Sequence, residues 1–196
     1  MPKTESTCGI DVGLKDFAIL SDGTTYKNPT FFRILEEKLA KAQRILSRRT
    51  KGSSNWHKQR VKVAQIHEHV ANARADYLHK LSAEIIKKHD VIGKEYVRFS
   101  GMLKNTCKSS WSQFQTLLEY KAKWYGKQLV VLSKTFASRQ LCSNCNYKNK
   151  DAKNLTILEW DCPYCGTHYD RDRNTVFNHR NESIPLLTLG TMGIAY

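Results

Sequence analysis

Two sets of side chains in this 196-residue chain combine type and spacing in ways that chemistry could use: four cysteines and a few carboxylates. The cysteines form two pairs, Cys142-Ser143-Asn144-Cys145 and Cys162-Pro163-Tyr164-Cys165, separated by the interval of a four-thiolate zinc ribbon. Tetrahedral closure is the physical reason. Two thiolates on one tight knuckle each reach an ion at about 2.3 Å, and a second knuckle completes the shell. Gly166 follows the second pair, where a positive φ is often required. The competing reading is two disulfides or redox pairs, but a redox pair normally opens a helix, and Pro163-Tyr164 lies in a turn-rich stretch. His168 could replace one ligand, although a complete quartet makes that unnecessary. Four protein thiolates leave no open coordination position, so this zinc is expected to be structural and any catalysis lies elsewhere. Cys8 and Cys107 have no partner spacing and read as buried small apolar residues.

The carboxylates that could do that chemistry are Asp11, within the first expected strand, Glu95 in the fourth, and Asp172 at the start of the last helix. Mg²⁺ or Mn²⁺ takes oxygen ligands, and two such ions roughly 4 Å apart activate water and stabilise the leaving oxygen in phosphodiester cleavage. A carboxylate cluster in a chain of net charge +14 is costly for stability alone; it is useful where cations and a phosphate backbone meet. Each residue taken singly has a plainer reading, as a turn residue or a helix cap, and Asp16, Asp90 and Asp170 are also near strand or helix ends.

These residues need elements to position them. Residues 6–27 read as three strands, with Asp22-Gly23 as a hairpin signal. Leu35, Leu39, Ala42 and Leu46 then recur at helical spacing, and Gly52-Ser53-Ser54-Asn55 breaks that helix. A second helix carries Val63, Ile66, Val70, Ala73, Tyr77 and Leu81 to about His89, so an antiparallel hairpin is expected over about 31–89. Residues 31–70 hold ten Lys/Arg against three Glu. Lys38, Lys41, Arg44, Arg48, Arg49, Lys51, Lys58, Arg60 and Lys62 are therefore candidates for tracking phosphates, the alternative being a solvated helical face. A strand over 91–97 follows, then a helical stripe of Trp111, Phe114, Leu118, Ala122 and Tyr125 stopped by Gly126. Leu129-Val130-Val131-Leu132 predicts a buried strand, the ribbon occupies about 136–169, and a last helix runs from Asp170 to about Glu182. The order fits an α/β three-layer domain, 1–135 with 170–196, carrying a metal-stabilised insert at 136–169.

Composition narrows the partners. The pI of 9.6 favours a polyanion, nucleic acid ahead of a membrane surface. No apolar run approaches the roughly 20 residues that span a bilayer, and the first residues lack a signal-peptide core. A secreted disulfide protein, a transmembrane protein and an acidic binding module are unfavoured.

Read in order, Gly9-Ile10-Asp11-Val12-Gly13-Leu14-Lys15-Asp16-Phe17, Trp124-Tyr125-Gly126-Lys127, Cys142-Ser143-Asn144-Cys145 and Asp170-Arg171-Asp172-Arg173-Asn174 resemble the OrfB/TnpB family. These are transposon-encoded RNA-guided DNA endonucleases, related to the compact type V CRISPR effectors. The likeness runs from about Thr7 to Asn181. It implies a RuvC-like nuclease domain on the ribonuclease H fold, with the zinc ribbon inserted before the last acidic motif. It also implies catalytic Mg²⁺ or Mn²⁺ ligands at Asp11, Glu95 and Asp172, with Asp170 as the alternative third acid. DNA is the implied substrate, guide RNA the implied partner, and the cytoplasm, on the nucleoid, the implied location.

The sequence departs from the family pattern at Gly93-Lys94 and Tyr96 around the glutamate, at Thr175-Val176 after Asn174, and at Asn146, where a knuckle glycine is usual. Family members also carry a barrel and helical recognition lobe ahead of this half. Here the first acidic motif comes soon after Met1, so the expectation is a truncated chain without that lobe. Three functions compete: a metal-dependent DNA endonuclease domain, an inactive zinc-ribbon nucleic-acid-binding protein, and a decaying transposon remnant.

Overall fold

Short apolar runs broken at Asp22-Gly23 become three strands, β1 (Thr7–Val12), β2 (Asp16–Leu20) and β3 (Thr25–Lys27). The computed structural model describes residues 5–13, 15–96, 106–154 and 156–190. The expected turn at Leu14, the strand end at Val97 and the side chain of Cys107 lie outside what is described. The chain divides into two compact units, residues 28–81 and the residues on either side of them.

In the larger unit, β4 (Val91–Glu95) and β5 (Gln128–Leu132) complete a five-stranded sheet of order β3-β2-β1-β4-β5. β1, β2 and β3 pair antiparallel, whereas β1–β4 and β4–β5 are parallel. Side chains alternate along a strand, so the two faces can be assigned. Helix α3 (Thr106–Tyr125) covers the face of Ile10 and Lys94, with Phe114 edge-to-face against Phe17 at 5.3 Å. Helix α4 (Arg171–Gly190) covers the face of Gly9 and Gly93. A Cβ on Gly9 would overlap the Val176 carbonyl oxygen, and one on Gly93 would overlap Ser183 Oγ. Both glycines are thus there for close approach of helix to sheet. The expected three-layer α/β arrangement is present, with α3 and α4 as the outer layers.

Two details differ from expectation. β5 is the sheet's edge strand and is buried only at Leu132; Leu129 and Val130 are half-buried and Val131 is 41% accessible. A continuous apolar run does not reveal whether a strand lies at the centre or the edge. α4 continues past Glu182 to Gly190 through Pro185, because Ser183 is packed, fully buried, against Gly93. Lys94 points away from the α4 face, as strand alternation requires. It is buried beside Trp111 and Phe114, and burial, opposed by Glu119, pushes its ammonium down to about 8.

The second unit is a helical hairpin. α1 (Thr30–Ser47) leads through Gly52, at φ 87°, to α2 (Ser54–Lys88), whose last residues belong to the larger unit. Ser53 Oγ caps α2 by accepting from the Trp56 N–H at 3.1 Å. Gln59 Nε2 donates to the Ala42 carbonyl at 3.0 Å, joining the two helices beside buried Ala42 and Val63. Among the described residues no helix is long and apolar enough to cross a membrane.

Candidate metal centres and nucleic-acid interface

The two cysteine knuckles are built alike. In the first, Cys142 N–H donates to the Tyr147 carbonyl at 2.9 Å and Asn146 N–H to the Cys142 carbonyl at 2.9 Å. In the second, Cys162 donates to Thr167 at 2.9 Å and Gly166 to Cys162 at 2.8 Å. Asn146 has φ 61° and Gly166 φ 69°, so asparagine takes the left-handed turn that glycine takes opposite. The four sulfurs are free thiols, all within 4.8 Å of one another, and could hold a zinc ion. Tyr169 hydroxyl lies 3.3 Å from Cys142 Sγ and Thr167 Oγ1 lies 3.2 Å from Cys165 Sγ, each placed to donate to a thiolate. The Thr167 side chain and backbone push the Cys165 thiol down to about 6. His168 stands outside the quartet and faces Asp161 at 2.8 Å. Strands β6 (Glu159–Asp161) and β7 (His168–Asp170) close a small core of Ala152, Trp160 and Tyr169 around the knuckles.

Three asparagines tie this ribbon to α4. Asn174 is fully buried; its Oδ1 accepts from Ser143 N–H at 3.0 Å and its Nδ2 donates to the Leu141 carbonyl at 2.7 Å. Asn178 Nδ2 donates to the Ser138 and Leu141 carbonyls, both at 2.7 Å, and Asn181 Nδ2 to Ser143 at 3.2 Å. The first knuckle therefore helps to fix the helix whose first turn carries Asp172. Thr175 and Val176 are both buried, and the Thr175 hydroxyl is satisfied: Oγ1 donates to the Arg171 carbonyl at 2.8 Å.

The acidic candidates separate by use. Asp90 is occupied structurally, by the Lys127 ammonium and by the Glu5 N–H at 2.5 Å. Asp170 Oδ1 accepts the Arg173 N–H at 2.9 Å, which makes it the N-cap of α4. Asp16 opens β2 beside a β2–β3 irregularity, whereas Asp11 of β1 pairs with Ile19 farther along β2. Asp11 and Glu95 each follow the paired residues Ile10 and Lys94 at the C-terminal ends of adjacent parallel strands, and both border one cavity. Asp172, in the first turn of α4, acts on Asp11 electrostatically. Burial, opposed by the Arg139 charge and reinforced by Asp172, pushes the Asp11 carboxyl up to about 6. The Arg171 guanidinium contacts Asp172 Oδ1 at 3.3 Å.

Two residues beside this corner were not singled out from sequence. Arg139, exposed in the loop before the first knuckle, places a positive charge near Asp11. No local pattern marks it. His179 is buried against Gly9, and its spacing of seven from Asp172, two helical turns, is the signal that could have found it.

In the hairpin, Lys38, Lys41, Arg44, Arg48, Lys51, Lys58, Arg60 and Lys62 are exposed. Arg49 is half-buried and donates to the Asn55 carbonyl at 2.6 Å, so it is a loop clamp rather than a free cation. Arg60 stacks over Trp56 at 5.5 Å.

Comparison with known proteins adds the following. The family model OrfB_IS605, described as "Probable transposase", matches residues 1–106, and "Cas12f1-like, TNB domain" matches residues 111–179. The chain is 37% identical over 183 residues to a Streptomyces pristinaespiralis protein named "Putative RNA-guided DNA endonuclease", covering 90% of this chain and 45% of the relative. It is 31% identical over 208 residues to "Putative RNA-guided DNA endonuclease InsQ" of Escherichia coli (strain K12), covering 95% and 51% respectively. The chain thus spans about half the length of these curated relatives. The fold matches a chain of the "Cryo-EM structure of CRISPR-Cas12f Ternary Complex" with TM-score 0.63 at 19% identity, over 92% of this chain and 40% of that one.

Proposed function

The chain belongs to the OrfB/TnpB family, and from that premise we propose that it is the divalent-metal-dependent nuclease half of an RNA-guided DNA endonuclease. The observation that supports this reading is that Asp11 of β1 and Glu95 of β4 border one cavity, with Asp172 of α4 close enough to help raise the Asp11 carboxyl. A ribonuclease H-like RuvC assignment is supported by three antiparallel strands continued by two parallel ones, with a helix on each face.

Asp11, Glu95 and Asp172 would hold Mg²⁺ or Mn²⁺. Such ions, when bound, lower the pKa of the attacking water and stabilise the leaving oxygen. The donor set fits hard divalent ions, since all three groups are carboxylates and the Asp11 carboxyl, raised by burial, gains a counter-charge on binding. Arg139 would draw a phosphate toward the corner and offset its negative charge. Cys142, Cys145, Cys162 and Cys165 would hold one structural zinc, and the Asn174 and Asn178 bonds pass its rigidity to α4. The exposed lysines and arginines of the hairpin would follow the nucleic-acid backbone, while base pairing to a guide RNA supplies sequence choice.

The zinc-loaded chain is expected to cut labelled single-stranded or partly opened DNA with Mg²⁺ or Mn²⁺, and Asp11→Ala to reduce cutting to background. Binding without cutting in either metal would overturn the nuclease reading and leave the nucleic-acid-binding one. Neutralising Lys41, Arg44 and Arg48 together should lower the salt dependence of single-strand binding by a slope of about 2. Unchanged binding would remove the hairpin from the interface.

A further inference from the structure

The ribbon sorts its aromatic side chains. Trp160 and Tyr169 are buried in its small core, whereas Tyr147 and Tyr164 lie outside that core, 41% and 77% exposed. Tyr147 follows the left-handed Asn146 of the first knuckle, and Tyr164 lies between the two cysteines of the second. Although they come from separate turns, their rings are parallel, at an interplanar angle of 3°, with centroids 6.4 Å apart. That distance is near the far end of the range for aromatic pairs, so each ring gains little from the other and keeps face area open to solvent. Packing therefore does not account for the pair.

Parallel exposed rings match the flat face of an unpaired nucleobase, which stacks on aromatic side chains whatever its identity. Both rings are mounted on closed turns. The Tyr147 carbonyl accepts the Cys142 N–H at 2.9 Å, and Tyr164 follows Pro163 in a turn closed by the Gly166 N–H donating to the Cys162 carbonyl at 2.8 Å. Tyrosine has only two χ angles to fix, so little freedom is lost on binding. Charge agrees. Exposed Lys148, Lys150 and Lys153 follow Tyr147 with Asp151 the one acid among them, while Glu159 and Asp161 of β6 face His168 at 3.9 and 2.8 Å. The Ser143 backbone of the first knuckle bonds Asn174 and Asn181, so the pair is carried on the same framework as Asp172. We propose that Tyr147 and Tyr164 form a stacking seat for an unpaired base of the DNA strand to be cut. This rests on the nuclease reading above, in which that strand, rather than the guide RNA, comes to Asp172.

The test measures binding of the full, zinc-loaded chain to oligothymidylate, to a base-free deoxyribose-phosphate strand of the same length, and to oligouridylate. Oligothymidylate should bind more tightly than the base-free strand. The double variant Tyr147→Ala/Tyr164→Ala should weaken oligothymidylate binding about 5-fold to 150-fold. It should leave the base-free strand and the salt dependence unchanged, because no cation is removed. Tyr147→Phe/Tyr164→Phe should bind like the unaltered chain. Unaltered oligothymidylate affinity in the alanine variant overturns the seat, as does an equal loss on the base-free strand. A loss confined to oligouridylate overturns the assignment to DNA. None of these arms involves cutting, so failure of the nuclease reading, seen as no cleavage with Mg²⁺ or Mn²⁺, is a separate result.

Discussion

Around the cysteines, two short knuckles repeat one hydrogen-bond pattern and bring all four sulfurs within 4.8 Å of one another. Asp11 and Glu95 instead border one cavity from β1 and β4, and Asp172 acts on Asp11 from α4, so their approach depends on how three separate elements pack. Among the described residues the quartet is the one group of this kind whose ligand atoms all lie that close. The difference is one of where each site's precision originates. Ribbon geometry is local, set by turns and a left-handed residue at Asn146 and Gly166. Precision at the acidic corner is tertiary, set by strand register and by two glycines that let α4 lie close to the sheet.

This comparison can be broken from either side. The largest effect is expected at the ribbon. Cys162→Ser removes a ligand from a shell whose metal-linked stabilisation is on the order of 10 kcal/mol. The buried Trp160 should become solvent-exposed, read as a red-shifted fluorescence, while far-UV circular dichroism retains the sheet and hairpin. Loss of the whole fold would show that the ribbon is not locally built. Next comes Gly9→Ala, whose Cβ meets the Val176 carbonyl and the Arg180 backbone nitrogen, groups that cannot rotate away. It should cost about 3 kcal/mol or more in urea denaturation and weaken Mn²⁺ binding, while zinc content remains unaltered. A stability close to that of the unaltered chain would mean that α4 is not held by close approach at β1.

The smallest effect is a gain. Asp11 titrates near 6 in the folded chain against 3.8 when unperturbed, so the fold holds this proton more tightly than the unfolded chain does. Its contribution is therefore present below about pH 4 and is lost as pH rises to about 6. Asp11→Asn should stabilise the zinc-loaded chain without Mg²⁺ or Mn²⁺ by about 1–3 kcal/mol at pH 7, the lower figures reflecting partial solvent access. The advantage should vanish near pH 4. A destabilised variant at pH 7 would show that the Asp11 charge is already balanced within the protein.

Most of the element order was legible because it rests on local signals. The period of Leu35, Leu39, Ala42 and Leu46 gives α1, Asp22-Gly23 gives the β2–β3 turn, and Ser53 is the cap that a break before α2 requires. The misread cases are those that local pattern cannot decide. Leu129 to Leu132 look alike whether central or at an edge, and α4 outruns its apparent end because Ser183 meets Gly93 from β4. Asp170 and Asp172 are two residues apart and indistinguishable by type. One is oriented by the Arg173 N–H as a cap; the other contacts Arg171 and acts on Asp11 electrostatically.

The amino-acid sequence by itself determined the spacing of the two cysteine pairs, the basic excess between residues 31 and 70, and the family resemblance carried by four motifs. Each depends on neighbours along the chain, where spacing translates directly into geometry. Only the tertiary structure decided that Asp11 and Glu95 border one cavity, that Arg49 is tied into a loop, that Arg139 places its charge near Asp11, and that His179 is buried against β1. Those outcomes depend on strand register and helix packing, which join residues far apart in the chain.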